Sequence, residues 1–109
     1  MSKLKLFLAS FLLTFSLSGF AYTHLTQDGC DFYAAVGMQA SQEGKGIPKG
    51  QTTKDLKELK VPEELMPVFN QVINEGKVSK LNAEDLFYKL QKECYAVRGE
   101  VKKLLLPNV

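Results

Sequence analysis

Apolar positions change their spacing several times along this chain, and each change marks an element. From Leu6 to Phe20 they run with few interruptions, behind Lys3 and Lys5 and up to Gly19-Phe20-Ala21. A charged lead, an apolar stretch of about 15 residues and small residues one and three places before a cut after Ala21 make a cleaved export signal. The stretch is shorter than the roughly 20 apolar residues that span a bilayer. Tyr22 to Gln27 carries no periodicity and reads as a short disordered arm. From Asp28, the expected cap, helical spacing sets in: Cys30, Tyr33, Ala34, Gly37 and Ala40 share a face, widened by Phe32 and Val36. Small residues dominate that face, so a second helix can approach it closely. Gly44-Lys45-Gly46-Ile47-Pro48-Lys49-Gly50 breaks the pattern, ending the helix near Gln42–Glu43 and reading as a flexible basic connector.

A short helix is predicted next, from Thr52 or Thr53 through Leu56 and Leu59, with Asp55 completing a capping box from Thr52. Val61-Pro62 stops it, and Pro62-Glu63-Glu64 opens another helical turn. Leu65, Phe69, Val72 and Ile73 hold helical spacing across Pro67, which either restarts or kinks the helix, and Gly76 is a ready residue to end it. Asn82 then caps a last run in which Leu86, Phe87, Leu90, Cys94, Val97, Val101, Leu104 and Leu105 recur at steps of three and four. This predicts one long helix from Ala83 to about Leu106, with a bend available at Gly99 and a stop at Pro107. No segment alternates with period two. The expected fold is all-α: a small bundle of three to four helices closed by one disulfide, with a long C-terminal helix.

Composition refines this picture at three points. Residues 1–21 take Lys3 and Lys5 with them, leaving 12 basic and 12 acidic residues in a single domain over 22–109. A balanced charge argues against nucleic acid, which rewards clustered positive charge. No second apolar run follows, so no membrane span is expected after cleavage, and Cys30 follows Gln27-Asp28-Gly29 rather than a lipid-attachment motif. Export places Cys30 and Cys94, the only two cysteines, where disulfides persist. A bridge between them stabilises by about 4 kcal/mol on the chain-entropy model. An intermolecular bridge or a redox pair are the alternatives, although neither a Cys-x-x-Cys spacing nor an electropositive setting is visible.

Candidate chemistry is sparse. Gly44 to Thr52 lacks the lysine that follows the last glycine of a phosphate loop and does not sit on a strand-to-helix turn. His24, the only histidine, lies in the arm with no third group to orient it. Zinc needs three or four ligands, and bridged cysteines supply none. Glu63-Glu64 and Glu84-Asp85 stand at helix starts and read as capping charge. No catalytic residue, metal ligand or cofactor is therefore expected. Lys45, Lys49, Lys54, Lys57 and Lys60 make residues 45–60 basic; they form a solvated face, or dock an acidic protein or lipid headgroups through Lys49, Lys54 and Lys57.

The order Cys30 with Phe32-Tyr33-Ala34, Glu43-Gly44-Lys45-Gly46, Pro62, Val78, Leu81-Asn82-Ala83 and Cys94 resembles small uncharacterised exported proteins of Gram-negative bacteria. Those place one cysteine at each end of a helical core, and the resemblance implies location and fold. Cys30-Asp31-Phe32 is similar to the first cysteine region of periplasmic acid-stress chaperones. Ile47-Pro48-Lys49-Gly50-Gln51-Thr52 is similar to a segment of the immunity proteins against secreted amidase toxins. The expected function is that of a periplasmic or secreted, non-enzymatic protein that binds another protein. An immunity protein, a stress chaperone and, less favoured, an enzyme subunit are the alternatives.

Helix lengths raise one further expectation. A parallel first helix would cover Val97, Val101, Leu104 and Leu105, whereas an antiparallel one, the usual outcome of short connections, leaves them as a bare overhang unless Gly99 folds it back at a modest cost in helix propensity. In that case these four residues form a surface for a partner or for a self-dimer.

Overall fold

The first helix is buried on every side, and the rest of the domain is arranged around it. The structure is a computed structural model that describes residues 23–105. Among the described residues there are five helices: α1 (Gln27–Ser41), α2 (Gln51–Glu58), α3 (Met66–Val78), α4 (Ala83–Ala96) and α5 (Val101–Leu105). A 3-10 turn, Glu63–Leu65, leads into α3. The fold is all-α and closed by one disulfide. The expected export signal and the expected stop at Pro107 lie outside the described residues. Among those described, no helix is long and apolar enough to cross a membrane.

Phe32 and Val36 on one face of α1 and Ala34 and Gly37 on the opposite face are all buried. A helix with no polar face has to be enclosed. Helices α3 and α4 lie along it. Phe32 meets Phe69 of α3 edge to face, with ring centroids 5.1 Å apart. The α1–α3 crossing is backbone on backbone: a Cβ on Gly76 would come within 2.3 Å of the Gly37 carbonyl oxygen. Gly76 therefore serves close approach inside α3 rather than ending it, and the helix runs on to a C-cap at Ser79. Pro67 restarts the helix, taking a first-turn position where its missing N–H is not needed.

Helices α1 and α4 run antiparallel. Cys30 near the start of α1 is bridged to Cys94 near the end of α4, with Cα atoms 5.6 Å apart. Further along, Gly37 abuts Leu90, and Met38 shares a notch with Ala83 and Phe87. The first helix is capped by Thr26, whose hydroxyl accepts from the Gly29 N–H at 3.1 Å, and Asp28 falls inside the first turn instead.

Two expectations are corrected at the C-terminal end. The last helix is not continuous: α4 stops at Ala96 and the chain turns before α5. Gly99 N–H donates to the Cys94 carbonyl and Arg98 N–H to that of Tyr95, while Arg98 adopts φ 53° and Gly99 φ 70°. This is a Schellman ending with an arginine at the left-handed position that glycine usually takes. The N-terminal segment is the second correction, because it is part of the fold. Leu25 is buried, its N–H donates to the Gly99 carbonyl at 2.8 Å, and Val101 N–H donates to that of Thr23 at 2.9 Å. A Cβ on Gly99 would stand 2.2 Å from the Leu25 carbonyl oxygen, so only glycine admits this strap.

Candidate functional site

Two surface features carry unspent chemistry, and both draw on the last turns of α1. The first begins with Glu43, just past the helix end. Its side chain is 3% exposed, and its carboxylate accepts the N–H groups of Gly50 at 2.8 Å and Thr52 at 3.1 Å. Gly50 has no side chain with which to cap α2, and Glu43 supplies the missing acceptor from seven residues upstream. Burial works to raise the Glu43 pKa, but the Thr52 hydroxyl, the two backbone donors and the Lys77 charge together hold it below the ordinary glutamate value. The capping box expected between Thr52 and Asp55 does not form. Asp55 turns inward, 1% exposed, and accepts from the side-chain amides of Gln39 at 2.9 Å and Gln51 at 2.6 Å.

The connector between α1 and α2 is folded rather than flexible. Gly44 N–H donates to the Ile47 carbonyl at 2.6 Å, Ile47 N–H returns to that of Gln42 at 3.3 Å, and the Ile47 side chain is buried. This loop and the last turn of α3 enclose a cleft of about 280 Å³ lined by Ala40, Ser41, Glu43, Lys45, Lys49 and Lys77. Of the predicted lysines, Lys49 reaches this cleft, while Lys54 and Lys57 stand exposed on α2 and do not line it.

The second feature is apolar. Met38 of α1 and Ala83, Glu84, Phe87 and Tyr88 of α4 line a shallow notch of about 370 Å³. Tyr88 is 58% exposed and meets Phe87 edge to face at 5.7 Å. The four apolar residues expected to be bare lie elsewhere. Leu104 is buried, its carbonyl accepts from the Gln71 side chain at 2.6 Å, and Val97, Val101 and Leu105 pack partly buried against the core. The turn at Gly99 folds the overhang back onto α3. The sequence offered a bend at Gly99, but not the arm at Leu25 that holds it.

Tyr33, Lys89 and Tyr95 are engaged within the fold. Tyr33 is buried beside a cleft between α3, α4 and α5; burial, then the charges of Glu75 and Glu93, push its phenol pKa upward. The same two glutamates flank Lys89 at 3.0 and 2.9 Å. The Lys89 pKa is raised, first by the hydrogen bond to Glu93. Tyr95 donates to Asp31, which also accepts from Gln91 at 2.7 Å. His24 is 57% exposed, and its Nε2 stands 3.9 Å from Glu100, too far for the hydrogen bond that orients a catalytic base. Among the described residues, no three His, Cys, Asp or Glu side chains cluster as a metal site would require.

The class that fold and surface define is a small all-α domain stapled between its first and fourth helices. No family model, curated protein or solved structure matches the chain.

Proposed function

We propose that this chain is an exported, non-enzymatic protein that acts by binding another protein, and that the partner docks at the Met38–Phe87–Tyr88 notch. The observation that carries this reading is Tyr88, an aromatic side chain 58% exposed beside a half-buried phenylalanine and methionine. Tyrosine, phenylalanine and methionine are the residues enriched at interfaces, and exposed aromatics next to a notch are the usual anchors. Glu84 sits on the rim with no cation paired to it among the described residues. The partner therefore presents an apolar side chain for the notch and a neighbouring lysine or arginine for Glu84. Export is supported by the Cys30–Cys94 bridge, which belongs to an oxidising compartment, together with the signal pattern in residues 1–21.

The test is capture from the exporting compartment with the oxidised chain as bait. A partner retained by wild type should be lost with Tyr88→Glu and weakened by Glu84→Lys, both at unchanged fold. Sedimentation of the bait alone shows whether a second copy occupies the notch. Equal retention of the same partner by wild type and Tyr88→Glu rules out this face.

A further inference from the structure

We infer that the cleft between the end of α1, the 44–50 loop and the last turn of α3 binds a small phosphate-type oxyanion. The first support is how this end of the molecule divides its charges. Its carboxylates Glu43 and Asp55 are turned inward, with the Glu43 side chain 3% and Asp55 1% exposed. Both are already satisfied, Glu43 by backbone donors and Asp55 by two glutamine amides. The lysines stay outside. The cleft is lined by Lys45, Lys49 and Lys77 against the single carboxylate of Glu43, and this local excess of positive charge concentrates anions at a concave site.

The second support is convergence. Lys45 and Lys49 from the loop and Lys77 from α3 line one cleft. Lys77 lies 3.9 Å from Glu43, while Lys45 and Lys49 have no carboxylate partner among the described residues. Three compact, rotatable ammonium groups suit a tetrahedral oxyanion, which presents acceptors in every direction. The helix N-terminus nearby is not part of the site, since Glu43 already takes its N–H groups.

The third support is preorganisation. Gly44 at φ 83° and Gly46 at φ 124° permit a tight turn, which the hydrogen bonds of Gly44 and Ile47 and the buried Ile47 side chain hold in place. The Lys49 stem runs across Gly44, where an added Cβ would touch its Cε at 3.5 Å. A loop ordered before binding pays less entropy on binding. The cleft volume, about 280 Å³, is at the lower limit of ligand sites and fits a phosphate or a phosphorylated headgroup.

The experiment is an amide NMR titration of the oxidised protein with inorganic phosphate at low ionic strength. Saturable shifts are expected at Lys45, Gly46, Lys49 and Lys77. Lys45→Gln and Lys49→Gln should each weaken binding roughly threefold or more, as expected for losing one nearby charge in a partly screened site. Lys54→Gln and Lys57→Gln should leave it unchanged, and all four substitutions are on exposed side chains that do not carry the fold. A second arm uses vesicles of phosphatidylcholine with and without phosphatidic acid. Co-sedimentation that needs phosphatidic acid and is lost in Lys49→Gln assigns the anion to a lipid headgroup; phosphate shifts without vesicle binding assign it to a free phosphate. Shifts that never saturate, or that weaken equally with Lys54→Gln, reduce the effect to general screening and overturn the site.

Discussion

The aromatic notch and the lysine cleft share the last turns of α1 but are built by opposite means. The notch exists because Tyr88 is left outside while its neighbours Phe87 and Met38 are half covered. The cleft exists because Glu43 at its wall is tied to backbone donors, leaving Lys45, Lys49 and Lys77 in excess around it. One face depends on α4 lying against α1, the other on α3 and the 44–50 loop. Net charge and hydrophobic count are therefore poor guides to what a surface offers, because burial redistributes both. The two faces should also be separable by mutation.

The largest effect falls on what they share. Replacing both cysteines, Cys30→Ser with Cys94→Ser, should cost about 4 kcal/mol of stability and lower Tm by well over about 10 °C, because a bridge across 64 residues of sequence is removed. Thermal unfolding of oxidised wild type against the variant checks this, and both faces should loosen together. Gly76→Ala comes next, at about 2–3 kcal/mol, since its methyl group meets the Gly37 carbonyl rather than a movable side chain. Because it pushes α3 away from α1, it should displace Lys77 and weaken phosphate binding while leaving the Tyr88 resonances in place.

Glu43→Gln should cost about 1–2 kcal/mol at neutral pH by weakening the cap of α2. Its sign with pH follows from a folded pKa held below the ordinary glutamate value. The stabilisation is fully present above the unfolded pKa and is lost as pH falls through the lowered folded value. Wild type should thus lose stability on acidification more steeply than Glu43→Gln, measured by denaturant midpoints across the acid range. The smallest effect sharpens the comparison as a control. Lys60 ends α2 at φ 58°, and Lys60→Gly should stabilise by about 0.5–1 kcal/mol while changing neither face.

Much of the framework was legible because local spacing encodes it. The steps of three and four through Leu86, Leu90 and Cys94 marked α4, the small residues around Gly37 announced a close crossing, and short connections implied an antiparallel pair. What escaped is long-range or breaks a residue preference. The ending of α4 places Arg98, not glycine, in the left-handed position, so no C-terminal signal stood out there, whereas Val61-Pro62 did mark the end of α2. Gly99 looked like a bend because its strap partner, Leu25, lies more than seventy residues away. The cap of α2 comes from Glu43 rather than from the threonines beside it, and this same inward turn of carboxylates hid the lysine cleft. The predicted apolar stripe failed for a related reason: four residues at correct helical spacing were assigned to a helix that turns back at Val97, before reaching Val101, Leu104 and Leu105.

The proposed docking face is tested most directly by a photo-reactive phenylalanine analogue placed singly at positions 88, 57 and 104 of the chain and activated in living cells. Position 88 should give one discrete cross-linked protein that excess wild type competes away and that Glu84→Lys diminishes, while positions 57 and 104 give none. An absent adduct at 88, or an equal one from 57, would contradict the assignment of the Met38–Phe87–Tyr88 notch as the binding surface.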